Sequence, residues 1–198
     1  MIAFTRTLEE DLARCGVLHS RLCPRQVIGV RMARLACQRL CIDPAIDRKQ
    51  IYVFMECGRC AADAVITVTG ASPTNQLMQL MEYGKLAATF VSLRTGEALR
   101  ITEHPCSRES AMQMLPNLPA WEAQLNAYQT MLDACLLTWM PVILKRPLPV
   151  IPEKHTSHCS QCGDRIGEHK ELWQNDQPIC KPCAFGAYYQ TADNLYVR

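Results

Sequence analysis

Four cysteines close to the C-terminus constrain this chain more than any other feature. Cys159-Ser-Gln-Cys162 and Cys180-Lys-Pro-Cys183 are two Cys-x-x-Cys pairs, and the stretch between them, Gly163 to Ile179, is 17 residues long. Each pair makes a tight turn that aims two sulfurs at one point. A segment of this length lets the second pair close a tetrahedron, the geometry of a structural zinc ribbon. Gly163, directly after the first pair, can take the positive φ that such a turn needs. Two disulfides or four unrelated buried thiols are the alternative, which paired Cys-x-x-Cys at this spacing disfavours. A helix is expected from Ala184 to Tyr189.

The rest of the composition suits a protein with a buried core. At 198 residues, 48% hydrophobic and 20% charged, the chain has room for one domain and a small appendage, or for two domains. No apolar run approaches the roughly 18 residues of a membrane span, and Met1 to Arg14 is too acidic and polar for a signal peptide, so a cytoplasmic protein is expected. Twelve cysteines in that setting point to metal ligation, buried thiols or redox chemistry rather than a disulfide framework. Around the four cysteines, Lys154, Arg165, Lys170, Lys181 and Arg198 are offset by Glu153, Asp164, Glu168, Glu171, Asp176 and Asp193. A nucleic-acid module needs a basic face to neutralise phosphates, so nucleic acid is not an expected partner.

Pro141, Pro147, Pro149 and Pro152 mark an extended, fairly stiff linker. The expected organisation is therefore an α+β core domain over 1–140, a linker over 141–154 and a zinc ribbon over 155–198. Within the core, Pro24 to Cys41 has helical spacing with proline in the first turn. Ile51 to Met55 reads as a buried strand, and Ala61 to Thr69 fits either a strand or a helix. Leu86 to Ser92 and Ala98 to Thr102 read as a hairpin around Arg94-Thr95-Gly96-Glu97. Pro119 to Met140 reads as one long helix carrying Trp121, Leu125, Tyr128, Leu132, Cys135, Leu136 and Trp139 on a stripe. That stripe is either buried against its own domain or the seam of a homodimer, the assembly expected here.

A second constellation lies in the core. His19-Ser-Arg-Leu-Cys23-Pro24 stands just ahead of the first predicted helix, where the positive end of the helix dipole would favour a Cys23 thiolate. Cys57-Gly-Arg-Cys60 follows the predicted strand. One His and up to three Cys could hold a transition metal with an open position; equally, His19 could be a satisfied interfacial histidine and Cys23 a small buried hydrophobe. Cys15, Cys37, Cys41, Cys106 and Cys135 read as mainly structural.

Two resemblances sharpen this picture. Cys159-Ser-Gln-Cys162-Gly-Asp-Arg-Ile with Ile179-Cys180-Lys-Pro-Cys183-Ala resembles the DksA/TraR-type zinc finger over about 30 residues. His19-Ser-Arg-Leu-Cys23-Pro24-Arg-Gln-Val-Ile-Gly29-Val-Arg31-Met, Glu56-Cys57-Gly-Arg-Cys60-Ala-Ala-Asp63-Ala64, Thr69-Gly70 and Tyr83-Gly84-Lys85-Leu-Ala87 are similar, in order, to the FmdE family of formylmethanofuran dehydrogenase proteins. That resemblance implies a metal or active centre at His19, Cys23 and Cys60, with Cys57 a ligand or a neighbour. It also implies a partnership with a molybdenum or tungsten C1 dehydrogenase. The chain departs from the family where a second His is replaced by Arg21, a Gly by Arg25, and Gly-Cys-Thr by Gly70-Ala71-Ser72. Arg21 and Arg25 could hold an anionic ligand beside the metal.

Three functions follow. The first is a metal-binding accessory protein of formylmethanofuran or formate dehydrogenases, with structural zinc in the ribbon and a second metal of open identity in the core. No molybdopterin or iron-sulfur machinery is evident, so the whole dehydrogenase reaction is not expected of this chain alone. The second is a thiol-disulfide oxidoreductase using Cys57 and Cys60. The third is a zinc-ribbon transcriptional regulator.

Overall fold

The computed structural model describes residues 4–18, 21–47, 49–149 and 155–190. The chain divides into two compact units, Met1–Arg146 and Pro147–Arg198.

The larger unit opens with helix α1 (Leu8–Leu18). Thr7 and Glu10 cap it reciprocally. The Thr7 N–H donates to Glu10 Oε2 at 2.8 Å and the Glu10 N–H to Thr7 Oγ1 at 3.2 Å, satisfying amides that a helix start leaves free. Helix α2 (Pro24–Arg39) starts where the sequence predicts, with Pro24 in the turn whose N–H is not needed. Strand β1 (Ile51–Met55) follows. The ambiguous segment after it is helix α3 (Cys60–Thr69), closed by Gly70 in the left-handed region at φ 72.

Strands β2 (Met78–Leu80), β3 (Ala87–Ser92), β4 (Ala98–Glu103) and β5 (Leu137–Val142) join β1 in one five-stranded sheet of order β2-β1-β3-β4-β5. The β1–β2 pair is parallel and the others are antiparallel. The predicted hairpin is the β3–β4 pair, with Thr89 opposite Arg100. All six residues of β3 are buried, so both faces of this central strand are covered. Helices α4 (Ser107–Met114), α5 (Ala120–Thr130) and the single turn α6 (Asp133–Leu136) lead from β4 to β5. Sheet and helices together make the α+β core.

The helix predicted over Pro119 to Met140 is therefore not one element. Met131 and Leu132 are extended, with ψ of 147 and 143, and the chain from Leu137 onward is the edge strand of the sheet. The cause is a contact from α2. Arg31 donates to the carbonyls of Tyr128 at 2.8 Å and Met131 at 2.6 Å, and to the Asp133 carboxylate at 2.7 Å. A guanidinium thus takes carbonyls that a further helical turn would otherwise have satisfied. Beyond it, Thr138, Trp139 and Val142 suit a strand, and Pro141 is tolerated because β5 is an edge. The apolar stripe is divided accordingly: Tyr128 and Leu136 are buried in the core, whereas Trp121, Leu132 and Trp139 are exposed. No continuous helical seam exists to carry the homodimer argument. Pro141 and Val142 belong to the sheet rather than to a linker, and residues 150–154 of that linker lie outside the described residues.

The smaller unit is two hairpins and a short helix. Strand β6 (Thr156–His158) pairs with β7 (Arg165–Gly167), and β8 (Leu172–Gln174) with β9 (Gln177–Ile179). The helix expected at Ala184 to Tyr189 is instead α7 (Lys181–Phe185). Pro182 sits in its first turn, and Gly186, at φ 95, ends it. The core of this unit is Cys159, Ile166 and Ile179, with Leu172, Cys180 and Cys183 packed against it. So small an apolar cluster needs a staple to hold a fold. Among the described residues, no helix is long and apolar enough to cross a membrane.

Replacing Arg31 by Ala should destabilise the larger unit by about 2 kcal/mol, the scale of hydrogen bonds made by a charged donor. Urea unfolding followed by tryptophan fluorescence measures it, and an unchanged midpoint would show that α5 ends without this contact.

Candidate metal centres

The candidate core centre lies where α2 and α3 approach closely. Gly29 faces α3, and a Cβ there would lie 2.7 Å from the Ala61 carbonyl oxygen and 2.7 Å from the Ala64 Cβ. Only a hydrogen fits. The contact lies near the N-terminal ends of both helices, and those ends carry Cys23, the N-cap of α2, and Cys60, the first residue of α3. The Cys60 thiol is close enough to Cys23 to act on the ionisation of Cys23. Two helix N-termini thus converge on the same sulfurs and present partial positive charge to whatever forms there.

Cys23 differs from the sequence-based expectation. Burial pushes its thiol above the ordinary range and the neighbouring Cys60 adds to the rise, while hydrogen bonds from the Gln26 and Arg25 backbone pull it down. The helix-end donors are present, but desolvation outweighs them. Gln26, fully buried, holds the local backbone: it accepts from the Cys23 N–H at 2.9 Å and donates to the Cys15 carbonyl at 3.0 Å. Cys15 itself is fully buried, and its thiol is pushed up to about 11 by desolvation, then by the charge of Cys23. Cys15 therefore belongs to this neighbourhood, although its place at an apolar position of α1 reads in sequence as packing alone.

Cys57 answers to other neighbours than Cys23 does. Burial raises its thiol, and the Arg25 charge and the Ala87 backbone lower it. Next to it, Glu56 is buried and held by Arg100, Nε to Oε1 at 2.6 Å and Nη2 to Oε2 at 2.8 Å, across the intervening β3. Arg59, between the two cysteines, has φ 66 and ψ −149, a conformation normally left to glycine. Arg21 lies over the Trp121 ring at 5.3 Å, and Arg25 is exposed beside Cys57. His19 lies outside the described residues. Where Gly70-Ala71-Ser72 departs from the family pattern, the loop is closed by its own bonds. Asn75 Nδ2 donates to the Gly70 carbonyl at 2.7 Å, and the Ser72 N–H donates to Asn75 Oδ1 at 2.9 Å.

The four C-terminal cysteines do converge. Their sulfurs all lie within 4.8 Å of one another, a group that could hold a metal ion. The first turn is built as expected: the Gly163 N–H donates to the Cys159 carbonyl at 2.9 Å, and Gly163 has φ 79. The Cys180 N–H donates to Cys159 Sγ at 3.3 Å, and Cys162 Sγ and Cys180 Sγ are 3.8 Å apart. Hydrogen bonds from the Cys162 and Cys180 backbone bring the Cys159 thiol down to about 6. Cys183 goes the other way, raised first by the Cys180 thiol and then by burial. Four sulfurs so close cannot all ionise without a cation between them, and a divalent soft metal removes that conflict.

The family model described as FmdE, molybdenum formylmethanofuran dehydrogenase operon, matches residues 18–143. The chain belongs to the FmdE family. The match takes in His19, Cys23, Cys57 and Cys60 and ends before the four-cysteine unit. A crystal structure of a tungsten formylmethanofuran dehydrogenase FmdE-like protein from Syntrophus aciditrophicus shares the fold. Its TM-score is 0.63 over 96% of this chain and 100% of that one, at 20% identity. A protein of Archaeoglobus fulgidus described as "Probable S-adenosyl-L-methionine-binding protein" is 29% identical over 93 residues, 46% of this chain. The FmdE chain spans about a quarter of that relative's length, 25%.

Two outcomes test this geometry. Gly29→Ala in the FmdE core should cost about 1–3 kcal/mol through overpacking, with α3 pushed away from Cys23; equal stability in urea would mean that the helices part freely. At the four-cysteine site, bound metal must displace protons from thiols that are otherwise neutral, above all Cys183. Affinity for zinc should therefore strengthen as pH rises from 6 to 8, and a competition titration showing no pH slope would contradict the arrangement.

Proposed function

We propose that this protein is a metal-binding accessory protein of molybdenum or tungsten C1 dehydrogenases, serving a formylmethanofuran or formate dehydrogenase. Family membership supports the association, and the meeting of Cys23 and Cys60 at two helix N-termini supports a core centre. The donors suit it: two thiols, with Cys15 behind them, favour a soft transition metal over magnesium or calcium. His19 completes the set in this proposal, and Cys57 stands next to it rather than in it. Arg25, exposed and near Cys57, and Arg21, on the Trp121 face, would receive an anionic ligand beside the metal. The four-cysteine unit is proposed as a DksA/TraR-type finger whose zinc contributes folding free energy directly and whose surface docks a partner. We further propose that the chain acts as a homodimer in the cytoplasm, with the core, the linker and the ribbon as separate parts.

A thiol-disulfide oxidoreductase based on Cys57 and Cys60 has less support, because the thiol that acts on Cys23 is that of Cys60, while Cys57 responds to Arg25 and Glu56. The deciding experiment is metal content per chain for wild type and for Cys23→Ser/Cys60→Ser, both purified without added metal. The double variant should hold one metal fewer while the four-cysteine site stays loaded. Equal content in the two proteins would remove the core centre from the proposal.

A further inference from the structure

The smaller unit contains a second cluster of ligating groups. His155 immediately precedes β6, and His169 and Glu171 lie between β7 and β8. Their donor atoms all lie within 4.8 Å of one another. His155 Nε2 is 3.1 Å from Glu171 Oε1, and the His155 and His169 rings are stacked with centroids 4.4 Å apart and 13° between planes. Glu171 is the informative member. Its side chain is only 5% exposed, yet Oε2 is buried with no hydrogen-bond partner among the described residues. Native proteins rarely leave a carboxylate oxygen in that state. The His155 contact answers only Oε1. A divalent cation would answer Oε2 as well: the two imidazoles offer it lone pairs, and the carboxylate offers its charge.

We propose that His155, His169 and Glu171 form a second, three-ligand metal site that takes a divalent transition cation of the zinc class and leaves a coordination position open. Two imidazoles and one carboxylate select zinc, iron(II), cobalt or nickel over magnesium and calcium. Metal–nitrogen and metal–oxygen bonds of about 2.0–2.2 Å require donors roughly 3.4 Å apart. The His155–Glu171 separation already satisfies this, and the His169 donor lies within 4.8 Å of both, its ring tilting out of the stack on His155 to turn its lone pair on the same ion. The site lies at the opposite end of the β6–β7 hairpin from the cysteines. His158 and Arg165 pair next to Cys159, whereas Thr156 and Gly167 pair next to His155, and the Glu168 N–H closes that end on the His155 carbonyl at 3.2 Å. Three strand residues separate the two sites by roughly 10 Å. The four thiolates make a closed site, whereas three ligands with a 40% exposed His155 make one open to exchange and to an added ligand such as water or an anion. This site is independent of the core centre and does not rest on the proposed link to a dehydrogenase.

The test uses the full chain, equilibrated with the same free Zn²⁺, as wild type, His169→Ala and Glu171→Gln. Elemental analysis should find one zinc fewer per chain in each variant than in wild type. Parallel cobalt substitution reports the four-cysteine site through its thiolate-to-cobalt absorption, which should be unchanged in both variants. If Glu171→Gln loses that absorption, the unit has failed to fold, and His169→Ala, altered at an exposed residue, decides. Equal zinc in wild type and in His169→Ala, with the cobalt absorption intact, overturns the proposal.

Discussion

The larger unit is organised around the place where α2 touches α3 with nothing but the hydrogen of Gly29 between them. The approach is close because Ala61 and Ala64 present minimal side chains on the other helix. It brings two helix N-termini together, and the residues at those termini are cysteines. Burial then raises the Cys23 thiol in spite of the donors around it. A packing constraint and a chemical one thus coincide at the same few residues.

Arg31 performs a related service two residues further along α2. By taking the carbonyls that end α5 together with the Asp133 carboxylate, it turns the chain from helix into the edge strand β5. The same α2 therefore positions the candidate centre through Gly29 and Cys23 and shapes the sheet edge through Arg31. The smaller unit works by other means. Three buried side chains cannot support two hairpins, so convergent sulfurs at one end, and the His155–His169–Glu171 cluster at the other, bear on its stability as well as its chemistry.

Much of this was legible from residue order. Pro24 announced the start of α2, the β-branched and aromatic run Ile51–Met55 announced β1, and the turn around Gly96 announced the β3–β4 hairpin. Cys23 and Cys60 were grouped with His19 and Cys57 by their places at predicted helix and strand ends, and family resemblance singled them out, since 36 intervening residues carry no spacing signal of their own. Cys15 was hidden by its apolar helix position, and β5 by a helical periodicity that ran on past Met131. His155, His169 and Glu171 gave no recognisable motif, because they meet through hairpin register rather than through sequence proximity.

The sequence by itself determined the four-cysteine site, because two short turns at a suitable separation suffice to aim four sulfurs at one point. It also determined α2, β1 and the β3–β4 hairpin, whose patterns are local. Only the tertiary structure decided where α5 stops, which thiols meet in the core and how they ionise. Those outcomes depend on a guanidinium from another helix, on a glycine contact between helices, and on burial, none of which is a property of neighbouring residues along the chain.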